Sequence, residues 1–200
     1  MNGKYNEEKA VEILRKNLPP RRFKHTMGVV EMAEEYARML GVEDIQTVRT
    51  AALLHDCAKH MKSEELISYA NEHGITVTED YMKAPHLLHG PVGAVMAREV
   101  FGVQDERVFS IIERHTLGAE NMTVEEKIVF LADFTEKGRR YGASAQIRDL
   151  SRKDFDLALI RCSDEGIKHL LTTNAYIHPL SILTRNSFIE EYKQKHGEIK

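Results

Sequence analysis

Apolar residues recur every three or four positions along almost the whole chain, and alternating apolar–polar runs are nearly absent. Only 5 prolines and 12 glycines interrupt 200 residues, so the pattern leaves room for little except α-helix. The spacing predicts helices over about 6–17, 21–40, 44–60 and 63–74. It predicts further helices from 85 or 91 to 101, then over 105–115, 123–138, 152–173 and 179–195. Pro19-Pro20 ends the first helix and Gly41 the second. Ser63 reads as an N-cap, with Glu64 and Glu65 favourable in the first turn that follows, and Thr123 with Glu126 reads as a capping box. The stretch from Ile75 to Ala84 reads as a loop or short turn, and that around Tyr141 to Ala145 as a loop. No repeat or linker is visible. The expectation is a single all-α domain over 1–200, with C-terminal helices over about 152–196.

Composition narrows the function. A hydrophobic fraction of 42% supports a real core, and a net charge of −3 disfavours nucleic acid as a partner. A small anionic substrate remains open, because a local cationic site does not need a basic protein. Cys57 and Cys162 form neither a CxxC nor a disulfide framework, which suits a reducing, cytoplasmic location. The charged N-terminal stretch has no long apolar run, so neither a signal peptide nor a membrane contact is expected.

The histidines and aspartates sit where apolar residues belong. His25 shares a helix face with Val29, Met32 and Tyr36. His55, beside Asp56, follows Val48 and Ala52; His115 follows Val108, Ile111 and Ile112; Asp133 follows Val129 and Phe130. His89, just before Gly90-Pro91, stands at a helix start and can lean toward the same centre. Any one of them is more often a satisfied core residue. As a set, the bland reading needs six separate coincidences, whereas divalent metal compensates buried carboxylate and wants neutral imidazole.

The ordered set His25, His55-Asp56, His89, His115, Asp133 resembles the HD-domain metal-dependent phosphohydrolase superfamily, so the single all-α domain is expected to be an HD-type helical bundle. More narrowly, RRFKHTMGVVEMA, AALLHDCAKHM, HLLHGPVGA, IIERHTLGAENMTVEEKIVFLAD and FTEKGR are similar to the YqeK branch, over about residues 18–140. That branch contains symmetrical diadenosine tetraphosphate hydrolases, which yield two ADP. The resemblance implies that His25, His55, Asp56 and Asp133 hold one divalent ion, that His89 and His115 hold a second, and that Asp56 bridges both. It implies iron, with manganese or cobalt as substitutes. One departure stands out: Lys137 occupies a position where the branch commonly has proline, while Arg139 keeps its register.

The expected reaction is attack of an activated water on phosphorus, without a covalent enzyme intermediate. Asp56 and Lys59 are the expected catalytic residues; Lys59 lies three residues after Asp56 and projects toward the same centre. Lys83, Thr116, Gly118 and Arg139 are candidate substrate contacts, with Thr116 offering a hydroxyl and Gly118 a close backbone approach. Other readings stay open: another nucleotide substrate of the superfamily (deoxynucleotide, cyclic dinucleotide or alarmone), or a protein that senses a nucleotide. The leucine-rich C-terminal stripe suits either core or a homodimer face.

Overall fold

The computed structural model describes residues 4–139 and 143–199. Among them are eleven α-helices, one 3-10 turn and no strand. The helices are α1 (Glu7–Asn17), α2 (Pro20–Met39), α3 (Ile45–Leu54), α4 (Ser63–Glu72), α5 (Glu79–Lys83), α6 (His89–Glu99), α7 (Glu106–Arg114), α8 (Val124–Thr135), α9 (Ser144–Ser151), α10 (Phe155–Thr172) and α11 (Pro179–His196). Most starts follow from one short polar side chain. Asn6, Asp44, Thr78, Asp105, Thr123 and Asp154 each accept a hydrogen bond from an N–H in the first turn of the helix that follows. The expected box of Thr123 and Glu126 is present, with both reciprocal bonds made.

Helix α2 packs on α3 and α8, and α7 on α3, α6 and α8, while α9, α10 and α11 lie together beside α8. One cluster of buried apolar residues runs from Ala10 to Phe188 through all these layers. Tyr36, Leu54, Ile112 and Leu131 are fully buried within it. Each such side chain contributes about 1.5–3 kcal/mol relative to exposure, enough to fix the faces that the helices turn inward. The cluster holds the ends of α3, α7 and α8 close together, and those ends carry the polar residues singled out above.

Two helix ends and one whole helix differ from expectation, each for a physical reason, and α4 is capped by Lys62 with Ser63 as its first residue. The helix expected over 44–60 stops at Leu54. His55 Nδ1 bonds Ala52 O at 2.7 Å, taking the carbonyl that the next helical turn would use. The chain then continues in i→i+3 turns, with Cys57 N on Leu54 O and Lys59 N on Asp56 O. Three residues per turn place Lys59 above Asp56. The helix expected to reach 138 ends at Thr135, because Glu136 turns extended and its carboxylate accepts from Gly138 N at 2.5 Å. Helix α9 was not expected. Its eight residues, SAQIRDLS, carry only a thin apolar stripe, and polar bonds anchor it instead: Arg148 donates to Thr135 O, and Ser151 donates to Tyr36 Oη. Of the loop expected around Tyr141 to Ala145, residues 141 and 142 lie outside the described residues. The stretch from Ile75 to Ala84 contains the single short turn of α5.

Helices α6 and α7 approach so closely at Gly90 that a Cβ there would lie 2.7 Å from Glu113 O, a backbone atom that cannot move aside. We predict that Gly90→Ala costs about 1–3 kcal/mol through overpacking, lowering the thermal midpoint by several degrees. A melting curve that overlays the wild type would show that the contact is not tight.

Candidate metal centre

Four imidazoles face one another, His55 and His115 at the ends of α3 and α7, His89 at the start of α6 and His25 in the second turn of α2, and in each the Nδ1 atom is tied to an oxygen. His55 Nδ1 meets Ala52 O at 2.7 Å, His89 Nδ1 meets His86 O at 2.6 Å and His115 Nδ1 meets Ile112 O at 2.6 Å. His25 Nδ1 meets Glu136 Oε1 at 3.2 Å. Carbonyl and carboxylate oxygens only accept, so Nδ1 carries the proton and Nε2 presents a lone pair. All four lone pairs are turned to one interior. The same backbone bond explains why α3 and α7 end at their histidines: each ring takes the carbonyl three residues back.

Two carboxylates stand among the lone pairs. Asp56 divides its oxygens. Its Oδ2 lies 3.5 Å from His55 Nε2 and 4.0 Å from His25 Nε2, while its Oδ1 lies 3.5 Å from His89 Nε2 and 3.8 Å from His115 Nε2. Asp133 Oδ1 lies 2.9 Å from His25 Nε2 and 4.0 Å from His55 Nε2. The Nε2 atoms of His25 and His55 are buried with no hydrogen-bond partner. A lone pair facing a carboxylate is repulsive, and a buried polar atom without a partner costs about 1–3 kcal/mol. A divalent cation between these atoms would resolve both problems, and the nitrogen and oxygen donors suit a first-row transition metal. Two donor groups meet that need, His25-His55-Asp133 and His55-Asp56-His115, each with its donor atoms within 4.8 Å of one another.

The electrostatics agree with ligand chemistry at most positions. Burial, reinforced by Lys59 and His115, holds His89 well below the ordinary histidine range. Burial and His55 push His115 down to about 4, so both rings are neutral near pH 7. Burial favours protonation of Asp56 and Asp133, yet the charges around them win and keep both well below the usual carboxylate range. For Asp56 the groups that do this are His55 and Lys59; for Asp133 Arg139 leads. His55 goes the other way: burial opposes its charge, but Asp56 and Asp133 outweigh burial and raise it.

Three cations and a hydroxyl surround the centre. Lys59 Nζ lies 3.0 Å from His89 Nε2, and burial lowers its pKa. Thr116 Oγ1 lies 2.8 Å from His115 Nε2 and 3.0 Å from His89 Nε2. Arg139 donates to Asp133 through Nη2 at 2.7 Å and through Nε to the Asp133 carbonyl at 2.8 Å. Arg22 donates to Asp56 Oδ2 at 2.8 Å. Arg22 and Glu136 escaped the sequence reading. Arg22 precedes His25 by three positions, one helical turn on the same face, so its spacing was a usable signal. Glu136 had none, because its role depends on the unexpected end of α8.

A cavity of about 720 Å³ opens beside His115, Thr116, Asp133 and Arg139, and Lys83 and His86 also line it. Lys83 faces Asp80 at 3.7 Å and the Tyr176 ring at 5.3 Å. Gly118 does not line this cavity. It adopts φ +71°, where glycine is favoured, and what approaches it is Thr184 of α11, whose side chain a Cβ would strike. Removing the Glu136 carboxylate should loosen His25 as a ligand. We predict that Glu136→Ala weakens metal affinity by about 10–100-fold and Glu136→Gln by less, read by chelator competition. Equal affinity in both variants and the wild type would rule out this positioning role.

Comparison with known proteins agrees with the geometry. The model of the HD domain family matches residues 22–138. The symmetrical bis(5'-nucleosyl)-tetraphosphatase of Halalkalibacterium halodurans is 34% identical over 188 residues, covering 94% of this chain and 100% of the relative. The protein of the same name from Bacillus subtilis is 34% identical over 187 residues, covering 90% of this chain and 96% of the relative. A crystal structure from Clostridium acetobutylicum, described as a predicted HD superfamily hydrolase involved in NAD metabolism, is 33% identical and superposes with a TM-score of 0.90, covering 94% of this chain and all of that one. This chain belongs to the HD domain family.

Proposed function

We propose that the chain is a metal-dependent phosphohydrolase that cuts diadenosine tetraphosphate at its centre into two ADP. In this reading His25, His55, Asp56 and Asp133 hold one divalent ion, and His89 and His115 hold a second, with Asp56 shared. Iron is the proposed metal, with manganese or cobalt as substitutes. The observation that carries the reading is the split of the Asp56 carboxylate, one oxygen toward His25 and His55 and the other toward His89 and His115. When bound, two such ions lower the pKa of a water toward ~7 and neutralise charge on phosphoryl oxygens.

The chain's own groups do the rest. The cavity of about 720 Å³ has the size of a small-molecule site and offers Phe130, Phe134 and Leu117 for a base, with Lys83 and Arg139 for phosphate. Lys59 and Thr116 stand within hydrogen-bond reach of the histidine nitrogens and so beside the phosphorus to be attacked. Neither cysteine competes as a nucleophile: both are buried, and burial pushes the Cys57 thiol up to about 12.

The test is turnover by metal-loaded full-length chain on a nucleotide panel. ADP as the sole product from diadenosine tetraphosphate is expected; AMP plus ATP rejects symmetrical cleavage, and turnover confined to another nucleotide rejects the substrate. We further predict that Asp56→Asn abolishes turnover and reduces bound metal. Lys59→Ala should lower kcat by about 10²–10⁴-fold, as for loss of a positioned proton donor, with metal content retained. Loss of metal in Lys59→Ala would instead assign that side chain to the cage.

A further inference from the structure

A second cleft, of about 1110 Å³, opens beside the centre along the start of α2 and the segment after α8. It shares Arg139 with the first cavity. The wall between the two is polar: His25 lines the second cleft, Asp133 lines the first, and they stand 2.9 Å apart. A chain-like substrate crossing the centre would therefore leave one cavity and enter the other.

The two spaces differ in chemistry. The first offers aromatic and aliphatic walls, including Phe130, Phe134 and Leu170. The second is lined by no Phe, Tyr or Trp, and Pro19 and Met27 are its apolar side chains, so it lacks the aromatic wall that would stack a base. What it has is positive charge. Arg21, Lys24 and Lys137 are exposed on its rim, with Arg22 and Arg139 at its inner end. Among the described residues, Arg21 and Lys24 have no carboxylate within ion-pair distance, while Lys137 has Glu35 at 3.6 Å. Of the two carboxylates in the lining, Glu136 is occupied by His25 and Gly138, and Glu31 remains. Lys137, the departure noted in the sequence, adds one of these charges.

We propose that this basic cleft binds the diphosphate of the substrate half that leaves, with its nucleoside directed to solvent. The inference rests on the reading of the substrate as a dinucleoside tetraphosphate. In that reaction the water oxygen bonds one inner phosphorus, the bridging P–O bond breaks, and the departing diphosphate keeps the electron pair. The water's two protons pass to solvent as both product termini ionise. Charge grows on the leaving diphosphate as the bond breaks, and fixed guanidinium and ammonium groups beside it favour that change. The cleft would then recognise phosphate number and charge rather than base identity, leaving base contacts to the first cavity.

The test uses the full chain with Arg21→Gln, Lys24→Gln and Lys137→Gln combined, and each singly in case the triple variant folds poorly. None of the three side chains makes a hydrogen bond or ion pair with a cage residue. Pyrophosphate binding is measured on metal-free and metal-loaded chain, and KM is measured with diadenosine tetraphosphate. The proposal expects the pyrophosphate dissociation constant of the metal-free chain to rise at least tenfold in the triple variant. It expects KM to rise at least tenfold, with smaller, graded rises in the single variants and a smaller change in kcat. Unchanged pyrophosphate affinity overturns the proposal, and so does weakened pyrophosphate binding with KM unaltered. If the wild type fails to cleave diadenosine tetraphosphate, the substrate reading falls, and the pyrophosphate measurement still decides whether the cleft holds a diphosphate.

Discussion

Everything at the centre depends on one hydrogen bond repeated with small variations. A histidine Nδ1–H spends itself on an oxygen of its own surroundings, and its Nε2 lone pair is left aimed inward. Three of the four acceptors are backbone carbonyls three residues back, so the ring orientation is set by the helix end itself. The fourth is the Glu136 carboxylate. The cost is an interior that gathers lone pairs and two ionised carboxylates. Arg22, Arg139 and Lys59 share the compensation, and two buried nitrogens, those of His25 and His55, remain without a partner. Such an interior is an incomplete electrostatic arrangement, which divalent cations would complete.

The packing serves that arrangement. Gly90 lets α6 sit against the end of α7, which brings His89 Nε2 to 3.1 Å from His115 Nε2. Arg114, next to His115, pairs with the buried Glu126 of the α8 capping box at 2.8 Å. The helix start that sequence reasoning reads as a cap thus also steadies a site histidine. Tyr36, Thr135 and Ser151 form a buried chain of hydroxyls that fastens α2, α8 and α9 together just beyond Asp133. Helix stability and site geometry are therefore the same interactions seen from two sides.

Much of this was legible in the sequence, and the reasons are specific. Helical periodicity is strong in α2, α7 and α8, where apolar stripes are dense, and those stripes expose His25, His115 and Asp133 as polar residues on inward faces. The doublet His55-Asp56 after AALL was visible for the same reason. Helix α9 was hidden because polar bonds rather than an apolar stripe hold it. The end of α3 was hidden because the signal is a side chain competing for a backbone carbonyl, which propensity does not register. Glu136 and the second cleft depend on how the chain turns after α8. Gly118 was expected beside the substrate because glycine permits close approach, and the approach is real but comes from Thr184.

The central claim is that six side chains converge because divalent ions satisfy them. Anomalous diffraction from crystals of the iron-loaded chain tests it most directly. The account predicts two peaks on either side of the Asp56 carboxylate, one bounded by His25, His55 and Asp133 and the other by His89 and His115. A single peak, no peak, or peaks held by other residues would contradict it.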